Sequence, residues 1–204
     1  MRWLTSDHHF GHANILKYCA GTRPFSSLEE MHVGLIAAWN ETVAPDDDVI
    51  VVGDFIASRR MPDELALGIM GMLHGRKVLV RGNHDPAPRI FLKGGFIDVV
   101  DKIWMPEERT LIIHRPPDRR YAPAEAAIAR DLDPHLIVHG HDHRAEPPDH
   151  RGCLNVCVDR WALRPVSWTL VENKLVGAVP WCLHEGAQEA PQDEHDGKEI
   201  ATNG

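Results

Sequence analysis

Residues 77–85 read KVLVRGNHD, a short apolar run followed closely by Asn83, His84 and Asp85. The run is rich in β-branched residues, which is typical of a buried strand that leads into a loop. The three polar side chains are therefore expected where a strand ends. Since successive residues in a loop can point in different directions, adjacent side chains at this place can have different functions.

The same arrangement occurs at four other places, where an apolar run leads into residues that commonly bind metals. The runs are RWLTS before Asp7 and His9, VIVV before Asp54, TLII before His114, and HLIV before His141 and His143. In α/β proteins, ligands bind outside the carboxyl ends of the strands. We therefore expect these side chains to lie together along one edge of the fold.

Carboxylates, imidazoles and an amide make up these clusters, and together they suit ions such as Mn, Fe, Zn or Co. The four cysteines lie outside the clusters and form no CxxC pair, which argues against a structural zinc site built from thiolates. A carboxylate has two oxygens, so one aspartate can bridge two ions. Two ions about 3.5–4 Å apart can hold an attacking hydroxide and the oxygens of a phosphoryl group. Gly53, Gly82 and Gly140 beside the clusters permit close approach of the backbone.

The order of the predicted elements indicates an α/β fold. Helices alternate with strands in the first part of the chain, and strands predominate in the second. The segment 26–43 is amphipathic, and Ser27 with Glu30 forms a capping box at its start. We expect one strand over 96–105 and two or three closing strands over 153–176. These elements are compatible with one mixed sheet or with two packed sheets.

The composition fits a single globular domain followed by an acidic tail. The chain has 204 residues, of which 43% are hydrophobic and 25% are charged, enough for one core. Residues 185–204 hold six acidic side chains against Lys198, so we predict a domain over 1–184 and a disordered tail beyond it. With a net charge of −8 and no basic run, tight binding to long duplex DNA is not expected.

The sequence gives no sign of a membrane segment or a secretion signal. No stretch approaches the roughly 18 apolar residues that a spanning helix needs. The N-terminal MRWLTSDHHF has neither an apolar h-region nor a small-residue cleavage site, so we expect no signal peptide. A cytoplasmic location follows as the expectation, with reduced and mostly buried cysteines.

The motifs and their order resemble those of the calcineurin-like metallophosphoesterases. They are D-x-H at Asp7 and His9, G-D ending at Asp54, G-N-H-D from Gly82 to Asp85, a single histidine at His114, and G-H-x-H ending at His143. All five occur in the family's order, which is far more specific than any one alone. The chain most resembles the small single-domain bacterial and phage members, in its SDHHFGHANI and its NVCVDRWALRPVSW. The resemblance implies a four-layer α/β/β/α sandwich with two mixed β-sheets flanked by helices.

The resemblance also implies a role for each motif residue. Seven ligands would hold two ions: Asp7, His9 and His143 for one, Asn83, His114 and His141 for the other, and Asp54 as the bridge. His84 would contact phosphate and protonate the leaving group, which suits an imidazole with an unperturbed pKa of about 6.5. Asp85 would orient His84. We expect two divalent cations, with Mn²⁺ first and Fe, Zn, Ni, Co or Mg as alternatives.

Three residues beside the motifs leave alternatives open. Family members often have glycine where this chain has Arg115; our hypothesis is that Arg115 contacts a substrate phosphate, and the alternative is a solvated loop arginine. His12 either lines the substrate cleft or caps the short helix that follows it. His8 is the variable position of the first motif, and we expect it to point away from the metals, toward the surface.

These features predict a dinuclear metal-dependent hydrolase of phosphate esters, with a metal-bridging hydroxide as nucleophile and His84 as general acid. A phosphodiesterase is favoured, because this combination suits a diester with a poor leaving group. The alternatives are a phosphomonoesterase, a nuclease of single-stranded nucleic acid, and a non-catalytic scaffold of the same fold. The expected partner is a phosphate-ester substrate such as a nucleotide or a nucleic-acid end, and a homodimer is an open alternative.

Overall fold

A computed structural model describes residues 1–57, 61–118, 121–143 and 152–175. Five strands form the first sheet: β1 (Arg2–Thr5), β2 (Asp48–Val52), β3 (Arg76–Val80), β4 (Phe96–Val100) and β9 (Val166–Ser167), in the order β4-β3-β2-β1-β9. Four strands form the second sheet: β5 (Ile103–Met105), β6 (Thr110–Ile112), β7 (Leu136–His139) and β8 (Cys153–Asn155), in the order β5-β6-β7-β8. The helices are α1 (Ile15–Tyr18), α2 (Leu28–Asn40), α3 (Asp63–Met72), α4 (Pro88–Lys93), α5 (Pro123–Leu132) and α6 (Thr169–Leu175), with a 3₁₀ helix at Val158–Arg160.

Parallel pairing places the carboxyl ends of the central strands at one edge. Strands β1 to β4 run parallel to one another in the first sheet, and β6, β7 and β8 do so in the second. A parallel bridge between Ser6 and Cys157 joins the two sheets just beyond the end of β1. We call this place, where the chain leaves β1, β2, β3, β6 and β7, the shared edge.

Three apolar clusters separate the layers of the fold. The first, which includes Trp39 of α2, lies between the first sheet and helices α2, α3 and α4. The second fills the space between the sheets and joins Val52 of β2 to Val138 of β7. The third packs Ala129 of α5 with Ile137 on the outer face of the second sheet. The predicted four-layer sandwich with two mixed sheets is therefore confirmed.

The start of α2 shows the predicted cap with one change. The Ser27 hydroxyl accepts the backbone N–H of Glu30 at 3.1 Å, as a capping box requires. The Glu30 carboxylate accepts a hydrogen bond from the backbone N–H of Ser26 at 2.8 Å, and not from that of Ser27. The helix ends at Asn40, before the end of the amphipathic segment.

Two stretches differ from the expected strands. Residues 96–105 form two strands rather than one, because the chain passes from β4 in the first sheet to β5 in the second. The stretch 153–176 contains the two strands β8 and β9, but WTLVENKL forms helix α6. Short apolar runs do not distinguish a strand from a buried helix. In α6, Val171 is fully buried in the cluster between the sheets.

Other expectations fall partly outside the described residues. The predicted boundary between 184 and 185 and the acidic tail lie beyond residue 175, where the description ends. Cys19, Cys153 and Cys157 are buried thiols, as predicted. Within the described ranges, none of the helices has the length and apolar character needed to cross a membrane.

Candidate metal centre

Six of the predicted ligands meet at the shared edge in two groups. The ligand atoms within each group lie within 4.8 Å of one another, with Asp7, His9 and His143 in one group and Asp54, His114 and His141 in the other. Asp54 also faces the first group, because its Oδ2 lies 3.8 Å from His9 Nε2. The structure therefore places Asp54 between the two groups, where a bridging ligand would lie.

The seventh predicted ligand, Asn83, lies on the exposed loop after β3. Its Oδ1 accepts a hydrogen bond from Arg115 Nε at 3.1 Å. Because Arg115 directly follows His114, this contact holds the Asn83 amide beside the second group. An amide oxygen has two lone pairs, so Asn83 can accept this hydrogen bond and still bind an ion.

The backbone at the shared edge is strained at the ligand residues. Asp7, His9, Asp54 and His141 have positive φ angles of 60°, 53°, 51° and 68°. Such angles are uncommon outside glycine, although Asp and His adopt them more often than most residues. Each costs of the order of 1–3 kcal/mol, and such strain concentrates at functional sites. The strained turns aim neighbouring side chains to different sides of the chain.

Two glycines make the close packing of these loops possible. Gly53 has a φ of +84°, and a Cβ there would lie 2.4 Å from His114 Nδ1. A Cβ at Gly82 would lie 2.1 Å from Asp54 Oδ1. Any side chain at either position would displace a predicted ligand, as the sequence led us to expect of these positions.

Both carboxylates of the centre are fixed by backbone hydrogen bonds. The two oxygens of Asp7 accept the N–H of His141 at 3.1 and 3.0 Å, which links the first motif to the last across the two sheets. Asp54 Oδ1 accepts the N–H of His84 at 2.9 Å. These bonds hold the carboxylates in place and leave lone pairs free for an ion.

Asp85 does not make the expected contact with His84. Its hydrogen bonds within the described structure go to four backbone N–H groups at 2.8–3.2 Å: those of Asp54, Phe55, Ile56 and Gly82. Burial raises the pKa of the Asp85 carboxyl to about 6, although these N–H groups act in the opposite direction. The adjacent side chains point to opposite sides, since Asp85 is buried while His84 faces the opening. Asp85 therefore fixes the loops rather than the imidazole.

His84 and His12 lie together above the two groups. The His84 side chain is 48% exposed, and its Nε2 lies 4.0 Å from Asp54 Oδ2. The ring of His12 lies 5.5 Å from that of His9 and 6.3 Å from that of His84, measured between centroids. Its side chain makes no capping bond to α1, whose N-cap is Asn14. His12 therefore lines the opening rather than capping the helix.

Two ligand histidines direct Nε2 toward the centre. His114 Nδ1 donates to the backbone oxygen of Val52 at 2.9 Å, and its buried Nε2, 3.2 Å from Asp54 Oδ2, has no hydrogen-bond partner among the described residues. His143 Nε2 lies 3.1 Å from His9 Nε2 and 3.6 Å from Asp7 Oδ1. Imidazole nitrogens whose opposite N–H is held by an acceptor are typical metal ligands.

The charges at the shared edge favour cations. Burial raises the pKa of the Asp7 carboxyl. At Asp54 burial acts in the same direction, but His114 and His9 outweigh it and hold the pKa of that carboxyl below its usual range. Burial lowers the pKa of His114, yet Asp54 and Asp7 together raise it to about 9. Asp54 thus provides negative charge at the centre, and a cation beside Asp7 would offset the burial that disfavours the charged form of that carboxyl.

The donors at the shared edge fit divalent metal ions. They combine carboxylate oxygens with imidazole nitrogens, the set that suits Mn, Fe, Zn or Co. His114 Nε2 is buried 3.2 Å from Asp54 Oδ2 and has no hydrogen bond to the residues that the structure describes, so it is placed to bind a cation beside that carboxylate. One group would be completed by Asn83, and Asp54 lies near both.

His8 points away from the metal ligands, as expected, but it points into the core and not to the surface. The side chain is buried, stacked on Phe10 at 5.6 Å and 5.3 Å from the rings of Trp39 and Phe55. Burial lowers the pKa of this imidazole to about 3. Because Asp7 and His9 both have positive φ, the alternation of an extended strand does not apply, and His8 turns into the core.

Two residues without an assigned role lie directly behind His143. His143 Nδ1 donates to Asp159 Oδ2 at 2.7 Å, and Arg23 donates to both oxygens of Asp159. Burial lowers the pKa of His143, but Asp159 outweighs it and raises that pKa well above its usual value. Asp159 lies in NVCVDRW, where an acidic residue in an apolar stretch was the available signal. No pattern in the sequence pointed to Arg23.

Comparison with known proteins agrees with this geometry. An uncharacterized protein of Methanocaldococcus jannaschii is 33% identical over 178 residues, which cover 83% of this chain and 88% of that protein. The gene 66 protein of Mycobacterium phage L5 is 35% identical over 83 residues, 41% of this chain and 39% of that protein. The crystal structure of a protein of unknown function from Aquifex aeolicus covers 85% of this chain and 98% of its own, with 28% identity and a TM-score of 0.68.

The model of one protein family matches most of the chain. It is the model of the calcineurin-like phosphoesterases, and it matches residues 2–145. The match spans every motif from Asp7 to His143 and the strands that carry them. Proteins of this family bind divalent metals, which agrees with the two groups of ligand atoms at the shared edge. The chain therefore belongs to the calcineurin-like phosphoesterase family.

Proposed function

We propose that this protein hydrolyses phosphodiesters with two divalent cations and His84 as general acid. The observation that carries the proposal is the position of His84, whose exposed imidazole lies 4.0 Å from Asp54 Oδ2, between the ligand groups and solvent. A phosphate that reached the ions would therefore meet this imidazole.

Two ligand sets would hold the ions. Asp7, His9 and His143 would form one and Asn83, His114 and His141 the other, with Asp54 shared between them. When bound, such ions supply a nucleophile at neutral pH and neutralise charge on phosphoryl oxygens. Mn²⁺ is the first candidate, because the donors are oxygens and imidazoles without thiolate.

The chain's own contribution is to place the proton donor and the phosphate. The backbone N–H of His84 donates to Asp54 Oδ1 at 2.9 Å, so the backbone that carries the imidazole is fixed relative to that carboxylate. His84 would give its proton to the leaving oxygen as the P–O bond breaks. General acid catalysis of this kind typically contributes about 10²–10⁴-fold to the rate.

Arg115 and His12 would contact the substrate. Arg115 uses Nε for Asn83, and among the described residues its terminal nitrogens have no hydrogen-bond partner. A guanidinium with free terminal N–H groups can bind two phosphate oxygens at once. His12 lies beside His84 at the opening and would form one wall of the substrate cleft.

A diester is the favoured substrate, because its alkoxide leaving group needs the proton that His84 offers. The net charge of −8 disfavours a nuclease that tracks a long strand, although a nucleotide or a nucleic-acid end remains within the proposal. A non-catalytic scaffold is disfavoured, because all five motifs of the family are present.

The test is hydrolysis of bis-p-nitrophenyl phosphate beside p-nitrophenyl phosphate. The protein would be stripped of metal and supplied again with Mn²⁺, Ni²⁺, Co²⁺, Zn²⁺ or Mg²⁺. Asp54→Asn should abolish turnover with every metal. His84→Ala should lower kcat by about 10²–10⁴-fold for a diester with an alkyl leaving group, and by much less for p-nitrophenol, which departs without a proton.

Each outcome distinguishes between functions. Preference for the diester supports the proposal, whereas preference for the monoester indicates a phosphomonoesterase. Release of nucleotides from single-stranded oligonucleotides, with loss at raised salt, would indicate a nuclease. A folded protein that binds two ions but hydrolyses none of these would contradict the proposal and favour a binding role.

A further inference from the structure

A buried carboxylate supports one of the two ligand groups from behind. Asp159 is 6% exposed, and its Oδ2 lies 2.7 Å from His143 Nδ1. A carboxylate can only accept, so the proton of this hydrogen bond is on His143 Nδ1. Nε2 of His143 faces Asp7 and His9, and it offers its lone pair there when the ring is in the neutral form that an ion would bind.

A buried arginine fixes that carboxylate. Arg23 is 1% exposed and donates through Nε to Asp159 Oδ1 at 2.9 Å and through Nη2 to Oδ2 at 2.8 Å. The same guanidinium donates to the backbone oxygens of Asp7 at 2.6 Å and His8 at 2.8 Å. Arg23 thus ties Asp159 to the loop that carries the other two ligands of the group.

A metal ion is not the explanation for this cluster. Cys19 and Asp159 could form a further ligand group with His143, and Cys157 Sγ lies 3.5 Å from Asp159 Oδ2. The Arg23 guanidinium, however, already occupies both oxygens of Asp159 with a fixed positive charge. A second cation there would have to displace a buried, fully bonded arginine, which is strongly unfavourable.

The two ligand groups are therefore supported differently. His114, in the second group, is held through Nδ1 by the neutral backbone oxygen of Val52. His143, in the first group, is held by a carboxylate whose own position is set by an arginine. A carboxylate behind a ligand imidazole fixes its orientation and makes it a stronger donor.

We propose that the Arg23–Asp159 pair positions His143 and sets the affinity of the Asp7, His9 and His143 group for its ion, without contributing to the other group. The inference rests on the proposed function, which provides two ions. Arg23 and Asp159 are positioning residues, since neither touches the ions or the substrate. Loss of such a supporting carboxylate typically weakens metal binding by about 10–100-fold.

The test is a Co²⁺ titration of the full chain, followed by visible absorption and calorimetry. Asp159→Asn keeps the shape and one acceptor but removes the charge. We expect one of the two binding steps to weaken by about 10–100-fold and the other to stay as in wild type. The absorption of the weakened site should change as well, because His143 is no longer held in one orientation. The inference would be overturned if Asp159→Asn bound both ions with the affinities of wild type, or if both steps weakened by the same factor.

Two further variants keep the test decisive. Thr22→Val removes only the hydroxyl that donates to Asp159 Oδ1 at 2.6 Å, and it should weaken the same step to a smaller extent, so it replaces Asp159→Asn if that variant does not fold. Asp47→Asn is the matched control. Its carboxylate accepts from Trp3 at 2.8 Å and Ala44 at 2.9 Å, just before β2 and away from the shared edge. It should lower stability and leave both steps unchanged.

The inference and the proposed function fail in different ways. If the wild-type protein binds fewer than two Co²⁺ ions, the proposed function fails. If wild type binds two and Asp159→Asn binds them with the same two affinities, only the role of Asp159 fails.

Discussion

Asp85 Oδ2 accepts a hydrogen bond from the backbone N–H of Asp54 at 2.9 Å, across 31 positions of the sequence. The same carboxylate accepts the N–H groups of Phe55 and Gly82, so it joins the loop after β2 to the loop after β3. Asp54 in turn accepts the N–H of His84. The loops that carry the central carboxylate and the proposed general acid are therefore held together by reciprocal hydrogen bonds.

Replacement of Asp85 by asparagine should lower stability and disturb both loops. An amide has one acceptor oxygen. At least one backbone N–H group that now donates to the Asp85 carboxylate would therefore face an NH₂ donor instead. A buried donor left without its partner costs about 1–3 kcal/mol. Urea unfolding of Asp85→Asn beside wild type measures this cost, and kcat for the diester should fall as well. An unchanged free energy of unfolding would contradict the role given to Asp85.

A side chain at Gly82 should damage the metal centre. A Cβ there would lie 2.3 Å from the backbone nitrogen of Asp54, which cannot move without its loop. We expect Gly82→Ala to weaken Mn²⁺ binding roughly tenfold or more in calorimetric titration. Gly68→Ala is the control, because a Cβ there meets nothing within 4 Å in α3, and it should gain about 0.5–1 kcal/mol of stability. Equal Mn²⁺ affinity of the two variants would count against this account.

The position of the metal ligands at the shared edge could be predicted from the sequence, because each ligand motif closely follows an apolar strand. Parallel neighbouring strands of one sheet end at the same edge, so Asp7 after β1, Asp54 after β2 and Asn83 after β3 had to lie on the same side once these strands were identified. The motif order added the division into two groups. The helix α6 was missed because a short apolar run with β-branched residues fits a strand as well as a helix.

The support behind the ligands could not be predicted in the same way. Arg23 and Asp159 are 136 positions apart, and neither belongs to a repeated pattern. Their pairing depends on the tertiary contact of the loop after α1 with the 3₁₀ helix. The burial of His8 could not be predicted for a local reason, since its variable place in the motif suggested the surface, whereas positive φ at both neighbours turns it into the core.

The adjacent residues His8 and His9 should differ in their effects on metal binding. His8→Leu keeps a similar volume between Phe10 and Trp39. It removes Nδ1, which has no partner among the described residues, and the 3.4 Å contact of Nε2 with the Thr5 hydroxyl, so Mn²⁺ binding should be unchanged and the stability within about 1.5 kcal/mol of wild type. His9→Leu removes a ligand and should abolish one of the two binding steps. Calorimetric titration of both variants provides the comparison. Loss of a step in His8→Leu would show that its ring does not stay in the core.

Removal of the Arg115 guanidinium should weaken substrate binding. Its Nε donates to Asn83 Oδ1 at 3.1 Å, and its terminal nitrogens, which have no partner among the described residues, would bind phosphate oxygens at the edge of the second ligand group. A hydrogen bond to a charged group contributes about 1.5–3 kcal/mol. Arg115→Ala should therefore lower kcat/KM for the diester by roughly 10- to 100-fold, with KM raised, in steady-state assays at saturating Mn²⁺.

Two comparisons separate the phosphate contact from the contact with Asn83. Arg115→Lys keeps the charge but loses the Nε donor. If the charge binds phosphate, the KM of this variant should lie between that of wild type and that of Arg115→Ala. Arg81→Ala removes the same charge from a neighbouring loop, where Arg81 lies 3.8 Å from Asp101, and should leave kcat/KM unchanged. If Arg115→Ala changes neither kcat nor KM, Arg115 has no contact with the substrate. If it weakens Mn²⁺ binding and leaves KM at saturating metal unchanged, its function is to hold Asn83 alone.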